Sequence, residues 1–309
     1  MRFGVQTAPQ QISWTELRET WQEVETLGFD SLWVNDHLLP SVGPSDAPNF
    51  EGWTMVGAMA ALTTRVRIGV MVASNTFRHP AILAKMATSV DHISGGRLIL
   101  GIGSGYFAQE HQVYGISLYT SSQRARQLEE ALQVIHKLWT EENASFAGTY
   151  YRLTKAPFAP KPIQKPHPPI MIGGTGEKLT LPLVAKYADL WNSGGTVERM
   201  GHLVDVLKRH CDAIGRDHSE IEKTVITTLG YRAGKDREKE IVARAAAISR
   251  STPAEARRNV IVGSAQECLD TIARFGQAGV THFIFSMTPP YLEEGIQAFA
   301  EEVIPRARQ

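Results

Sequence analysis

At 309 residues the chain is long enough for one large domain or two average ones, and either can bury a sizeable core. Its 32 basic and 32 acidic residues cancel, which argues against a general nucleic-acid or anionic-membrane binder, because both need a net basic face. Cys211 and Cys268 supply neither a disulfide framework nor a thiolate metal set. With no apolar h-region after Met1 and no run of about 20 uncharged apolar residues, the expectation is a soluble cytoplasmic protein.

Short apolar runs alternate with amphipathic stretches from end to end. Residues 3–7 read as a first strand. Residues 15–27 carry Leu17, Trp21, Val24 and Leu27 near helical spacing, and Gly28 ends that helix by taking the left-handed conformation. The run 31–34 reads as a short buried strand that turns abruptly polar at Asn35, Asp36 and His37. A helix follows over about 52–62, a third strand over 66–73, and Pro80 opens the third helix where its missing N–H costs nothing. Residues 97–103 are the fourth strand.

The helix over about 122–139 has Thr120 and Gln123 at capping-box spacing and a buried stripe of Leu128, Leu132, Ile135 and Trp139. Residues 144–154 read as a small hairpin. The proline-rich stretch 156–169 reads as an extended loop, because the alternation resumes after it with strands at 170–172, 189–192, 225–229 and 282–286. Eight strands, each followed by a helix, predict a single (β/α)8 barrel over residues 1–309 rather than a doubly wound sheet. Such barrels carry their chemistry at the C-terminal ends of the strands, where Asp36 and His37 fall.

Other strand exits supply candidates. Gly101, Gly103 and Gly105 form G-x-G-x-G, not a dinucleotide fingerprint; the missing side chains would admit a flat ligand or a neighbouring backbone. Gly173, Gly174, Thr175 and Gly176 lead into a helix expected near Glu177, whose free N–H groups suit an anion. Ala73, Ser74, Asn75 and Thr76 end the third strand and read as a cap for the next helix, with Arg78 and His79 as solvated loop residues. The histidines show no metal-binding spacing. Glu110–His111 and Asp91–His92 are adjacent pairs, which on a helix face different ways. Ser104 sits in G-x-S-x-G, but the residues after it read as irregular, against a hydrolase elbow.

Taken in order, LGFDSLWVNDHLLP, FEGWT, VRIGVMVASNTFRHP, DHISGGRLILGIGSGYFAQEH, FAGTYYRL, KPIQKPHPPIMIGGTGE and YADLWN resemble the luciferase-like monooxygenase superfamily, above all its coenzyme F420-dependent oxidoreductases. The resemblance implies a barrel of that type with insertion segments and a deazaflavin in its mouth. It places Asp36 and His37 near the reactive face of the ring and Met71, Val72, Ala73 and Ser74 behind it, with a non-proline cis peptide at Met71–Val72. The stretch holding Gly103, Gly105 and Tyr106 passes beside the ring, and Gly173, Gly174, Thr175 and Gly176 hold its phosphate. Tyr106 and Ser41 stand where sugar-phosphate dehydrogenases of the superfamily have an acid and a tryptophan. That departure, with Trp53 and Phe107 nearby, points to a more apolar pocket.

The resulting expectation is an F420-dependent oxidoreductase of small organic substrates, with His37 as acid/base and Asp36 orienting it. The resemblance also implies a homodimer. Two alternatives are a monooxygenase using reduced FMN and oxygen, and a flavin-binding protein without turnover.

Overall fold

Eight parallel strands close on themselves in chain order. They are β1 (Arg2–Thr7), β2 (Ser31–Val34), β3 (Arg67–Val70), β4 (Leu98–Gly103), β5 (Ile170–Gly173), β6 (Leu190–Ser193), β7 (Glu222–Thr227) and β8 (His282–Met287). Each pairs with the next, and β8 returns to β1 with Arg2 opposite His282 and Thr7 opposite Met287. The structure, a computed structural model, describes residues 1–41, 43–249, 251–287 and 294–309. Closure removes the exposed edges that an open sheet would leave, and the architecture is the expected (β/α)8 barrel.

Strand alternation sorts the apolar residues into two layers. Phe3, Val5, Leu32, Val34, Ile68 and Leu100 face outward into the packing with the helices. Trp33, Ile99, Met171, Leu190 and Ile284 face inward, with Met71, and fill the barrel's middle. Gly69 makes room for that filling, since a Cβ there would lie 2.8 Å from the Trp33 ring.

The helices form where their periodicity and caps predict. Trp14–Thr26 opens on a Ser13–Glu16 capping box and Ser121–Thr140 on a Thr120–Gln123 box. Asn143–Ala147 and Arg152–Pro157 form the antiparallel hairpin. Two strands differ from expectation. The third breaks into β3 and a two-residue strand, Ala73–Ser74, separated by a cis peptide at Met71–Val72, the bond the resemblance indicated. The seventh begins at Glu222, three residues before its apolar run: Glu222, Lys223 and Thr224 are polar, Glu222 for a reason visible only in three dimensions.

That reason is a polar plug at the N-terminal end of the barrel. His282 Nδ1 donates to Glu222 Oε1 at 2.8 Å, and its Nε2 lies 2.9 Å from Ser31 Oγ, which also accepts from Trp33 Nε1. Arg2 and Arg67 complete the plug through Glu222 Oε2, at 2.5 and 3.3 Å. Burial works against a charge on Glu222, but His282 and the two guanidiniums override it and lower its pKa from 4.5 to about 2.

A carboxylate whose pKa is depressed on folding contributes stability above its unfolded value and loses it as pH falls. For Glu222 the window runs from 4.5 down to about 2, and the contribution at neutral pH is on the order of 3 kcal/mol. Urea unfolding should show the wild type losing stability through that window more steeply than Glu222→Gln. Parallel pH profiles would contradict the assignment.

Candidate active site

A cavity of about 610 Å³ opens at the C-terminal ends of the strands, a size usual for a small-molecule or cofactor site. Its wall takes Gln6 from β1, Asn192 from β6 and Ile226 from β7, and the chain leaving β2, β3, β4 and β5 supplies the rest. The glycines of β4 and β5 serve a more local purpose than admitting a ligand. A Cβ on Gly103 or on Gly173 would fall 2.8 or 2.9 Å from Val72, so both positions first make space for that side chain. Val72 thereby projects between β4 and β5 at the cavity's edge.

His37 lines the cavity, but Asp36 does not orient it. The Asp36 carboxylate is fully engaged elsewhere, accepting from Arg78 at 2.6 and 3.0 Å and from the Ser74 N–H at 2.8 Å. Arg78, read from sequence as a loop residue, is thus a buried ion-pair partner, with Glu51 as a second acceptor at 3.2 Å. The residue that holds His37 is Glu110. Its Oε1 lies 2.7 Å from His37 Nδ1, and its Oε2 accepts from the N–H groups of Leu38 and Leu39. Burial raises the cost of a charge on Glu110, yet these donors keep its pKa below the ordinary carboxylate value.

Glu110 sits on a short helix, Ala108–Val113, where the sequence reads as irregular. Six residues are too few to show a periodic pattern, so only the adjacent pair Glu110–His111 hinted at it. The two side chains do diverge, and each meets a different strand exit. His111 Nε2 lies 2.7 Å from Thr76 Oγ1, which lies 2.7 Å from Ser74 Oγ. The rings of Tyr106 and Phe107 stand edge-on to His37 at 6.0 and 5.7 Å, and Tyr106 is 72% exposed at the mouth. Trp53 instead belongs to the packed core.

Met71, Val72, Ala73, Ser74, Gly103, Gly105, Tyr106, Gly173, Gly174 and Thr175 all line the cavity, whereas Gly176 does not. The helix expected near Glu177 starts at Leu181 and is preceded by a turn in which Thr180 and Leu181 N–H both bond to Gly176 O. Those two amides are spent, so any anion here meets the loop 173–175 and Thr180 rather than a helix start. Sequence reading gave no site role to Gln6 or Asn192, and it noted Glu110 and His111 only as an adjacent pair. It named Asn35 but gave it no role, although Asn35 borders the cavity with a buried Oδ1 that has no partner among the described residues.

A family model described as luciferase-like monooxygenase matches residues 1–260. An F420-dependent glucose-6-phosphate dehydrogenase of Amycolatopsis mediterranei is 28% identical, over 100% of this chain and 99% of that protein. One of the same name from Segniliparus rotundus is 31% identical over 75% of this chain and 69% of its own. Among solved structures, an F420-dependent secondary alcohol dehydrogenase in complex with an F420–acetone adduct superposes with a TM-score of 0.84 at 23% identity, covering 100% of this chain and 99% of that one. A long-chain alkane monooxygenase superposes with a TM-score of 0.81 at 16% identity, covering 100% and 91%. These likenesses in structure establish the fold.

Removing one partner of a buried ion pair strands the other charge. Asp36→Ala should therefore lower stability by about 3–5 kcal/mol, measured by urea unfolding at neutral pH. An unchanged midpoint would show that Arg78 finds full compensation elsewhere.

Proposed function

The chain belongs to the luciferase-like monooxygenase family, and from that premise we propose that it transfers a hydride between coenzyme F420, a deazaflavin, and a small uncharged organic substrate. The observation that carries the proposal is an imidazole, His37, braced by a buried carboxylate at the edge of a cavity of cofactor size. The names of whole-length relatives support the deazaflavin.

The residues present fit such a group. Asn35 Oδ1 is a buried acceptor with no donor among the described residues, suited to an imide N–H of the kind the deazaflavin ring carries. Val72 offers an apolar edge, and the loop 173–175 offers a phosphate the main chain of Thr175, the Gly174 N–H being taken by the Asn192 carbonyl at 3.0 Å. Hydride chemistry is what the cofactor supplies when bound, and the rest falls to the chain.

Because an ionised carboxylate only accepts, His37 donates to Glu110 from Nδ1, leaving Nε2 to exchange a proton with a ligand. Tyr106 and Phe107 confine the ring and shield it from water.

The substrate class follows from charge. Among the described residues no lysine or arginine lines the cavity, and Arg78 is held by Asp36 and Glu51. An anionic substrate would be desolvated there without a counter-charge, at a cost of several kcal/mol. Alcohols, ketones, enones and imines meet no such penalty, whereas a sugar phosphate does.

Two measurements test the reading. Anaerobic titration should show F420 binding, and binding of reduced FMN alone would replace it with the monooxygenase reading. His37→Ala should lower turnover about a hundredfold while leaving F420 affinity largely intact; undiminished turnover would remove His37 from the chemistry.

A further inference from the structure

A second imidazole borders the cavity, and one carbonyl determines its tautomer. His111 is only 2% exposed and both its ring nitrogens are engaged. Nδ1 lies 2.8 Å from the Phe107 carbonyl oxygen, which can only accept, so Nδ1 carries a proton. With the ring neutral, Nε2 is an acceptor and receives a hydrogen bond from Thr76 Oγ1–H at 2.7 Å. Thr76 Oγ1 must then accept from Ser74 Oγ, also at 2.7 Å. The Ser74 oxygen is left with its lone pairs available at the cavity wall.

The surroundings hold this chain in place. The Ser74 N–H donates to Asp36, which fixes the main chain beneath the hydroxyl. The Phe77 ring packs on the His111 imidazole at 5.2 Å. Gly105 adopts a φ of +76°, and a Cβ there would fall 2.6 Å from Ser74 Oγ and 2.7 Å from Thr76 Oγ1. A glycine at 105 therefore leaves the two hydroxyls uncrowded, which no other residue could do without displacing them.

We infer that Ser74, Thr76 and His111 form a proton relay, with Ser74 Oγ as its cavity end and His111 as its buried reservoir, serving an O–H or N–H group of a bound ligand. The inference rests on the hydride-transfer function for the identity of that ligand. As the ligand's proton passes to Ser74 Oγ, the Ser74 proton passes to Thr76 and the Thr76 proton to His111 Nε2. Each O–H bond broken is matched by an O–H or N–H bond formed, and the imidazole ends as a cation. In the reverse direction Nε2–H donates to Thr76, Thr76 to Ser74 and Ser74 to the ligand. One relay thus removes a proton in one state and returns it in the other.

Such a second device has a use. Complete exchange between an alcohol and a deazaflavin takes a hydride and a proton off the alcohol and puts a hydride and a proton on the ring. Two protons move at two different atoms, and a single nitrogen, His37 Nε2, can serve only one of them. Ser74 is the member that touches ligand; Thr76 and His111 act through it as positioning residues.

The relay is tested first in the protein alone. Nitrogen-15 NMR of the imidazoles should show His111 as the Nδ1–H tautomer. Thr76→Val, which keeps the shape and removes the hydroxyl, should shift the Nε2 resonance, and Thr76→Ser should restore it. An Nε2–H tautomer in the wild type overturns the relay, whatever cofactor the protein takes. With F420 and a panel of alcohols, Thr76→Val should lower kcat about tenfold or more and alter its solvent deuterium isotope effect, with KM and F420 affinity unchanged. Thr76→Ser should recover both. A Thr76→Val enzyme with wild-type kcat and isotope effect also overturns the relay. A wild-type chain that binds no F420 overturns the proposed function instead, and the NMR result then decides the relay by itself.

Discussion

One buried carboxylate holds the rim of the barrel together. The Glu110 side chain is wholly shielded from solvent, a position that penalises a charge unless donors surround it. Three do: His37 Nδ1 and the main-chain N–H groups of Leu38 and Leu39. The contact joins the helix Ala108–Val113 to the loop leaving β2. It sets the tautomer of His37, shapes the loop that carries it and seats the helix. Seating the helix also determines where His111 meets Thr76. The Asn49 amide ties down the same loop by donating to the His37 carbonyl at 2.7 Å.

The barrel contains two arrangements of acid, imidazole and hydroxyl, and their chemistry differs because of access. At the N-terminal end, Glu222, His282 and Ser31 form a connected set, but Ser31 and His282 are fully buried and the apolar layer around Trp33 lies above them. Those residues can only stabilise the fold. At the other end, the same residue types face a cavity and can exchange protons with a ligand. A search by residue type alone would rank the two sets alike. The direction of the strands separates them, since a parallel barrel places all its strand exits and loops around one mouth.

Much of the scaffold was legible because its signals are local. Parallel strands buried on both faces read as continuous apolar runs, which located six of the eight strands closely. The helix Ser121–Thr140 announced itself by its stripe and its capping box. The strand beginning at Glu222 read as starting late because it opens on three polar residues, the first of them part of the polar plug, and the helix Ala108–Val113 is too brief to show periodicity. Arg78 looked like a solvated loop residue because nothing near it in sequence reveals that Asp36, 42 positions away, lies against it.

The sequence by itself determined the order of elements, the closed barrel they make and the placement of Asp36 and His37 at a strand's C-terminal end. Spacing and apolar patterning suffice for those. Only the tertiary structure decided which carboxylate serves which base. Neighbouring side chains on a non-helical segment point to opposite sides, so Asp36 and His37 diverge despite their adjacency. Asp36 turns to Arg78, and His37 finds its partner in Glu110, 73 residues along the chain. No local pattern records such a pairing, because it exists only once separate strand exits converge on one rim.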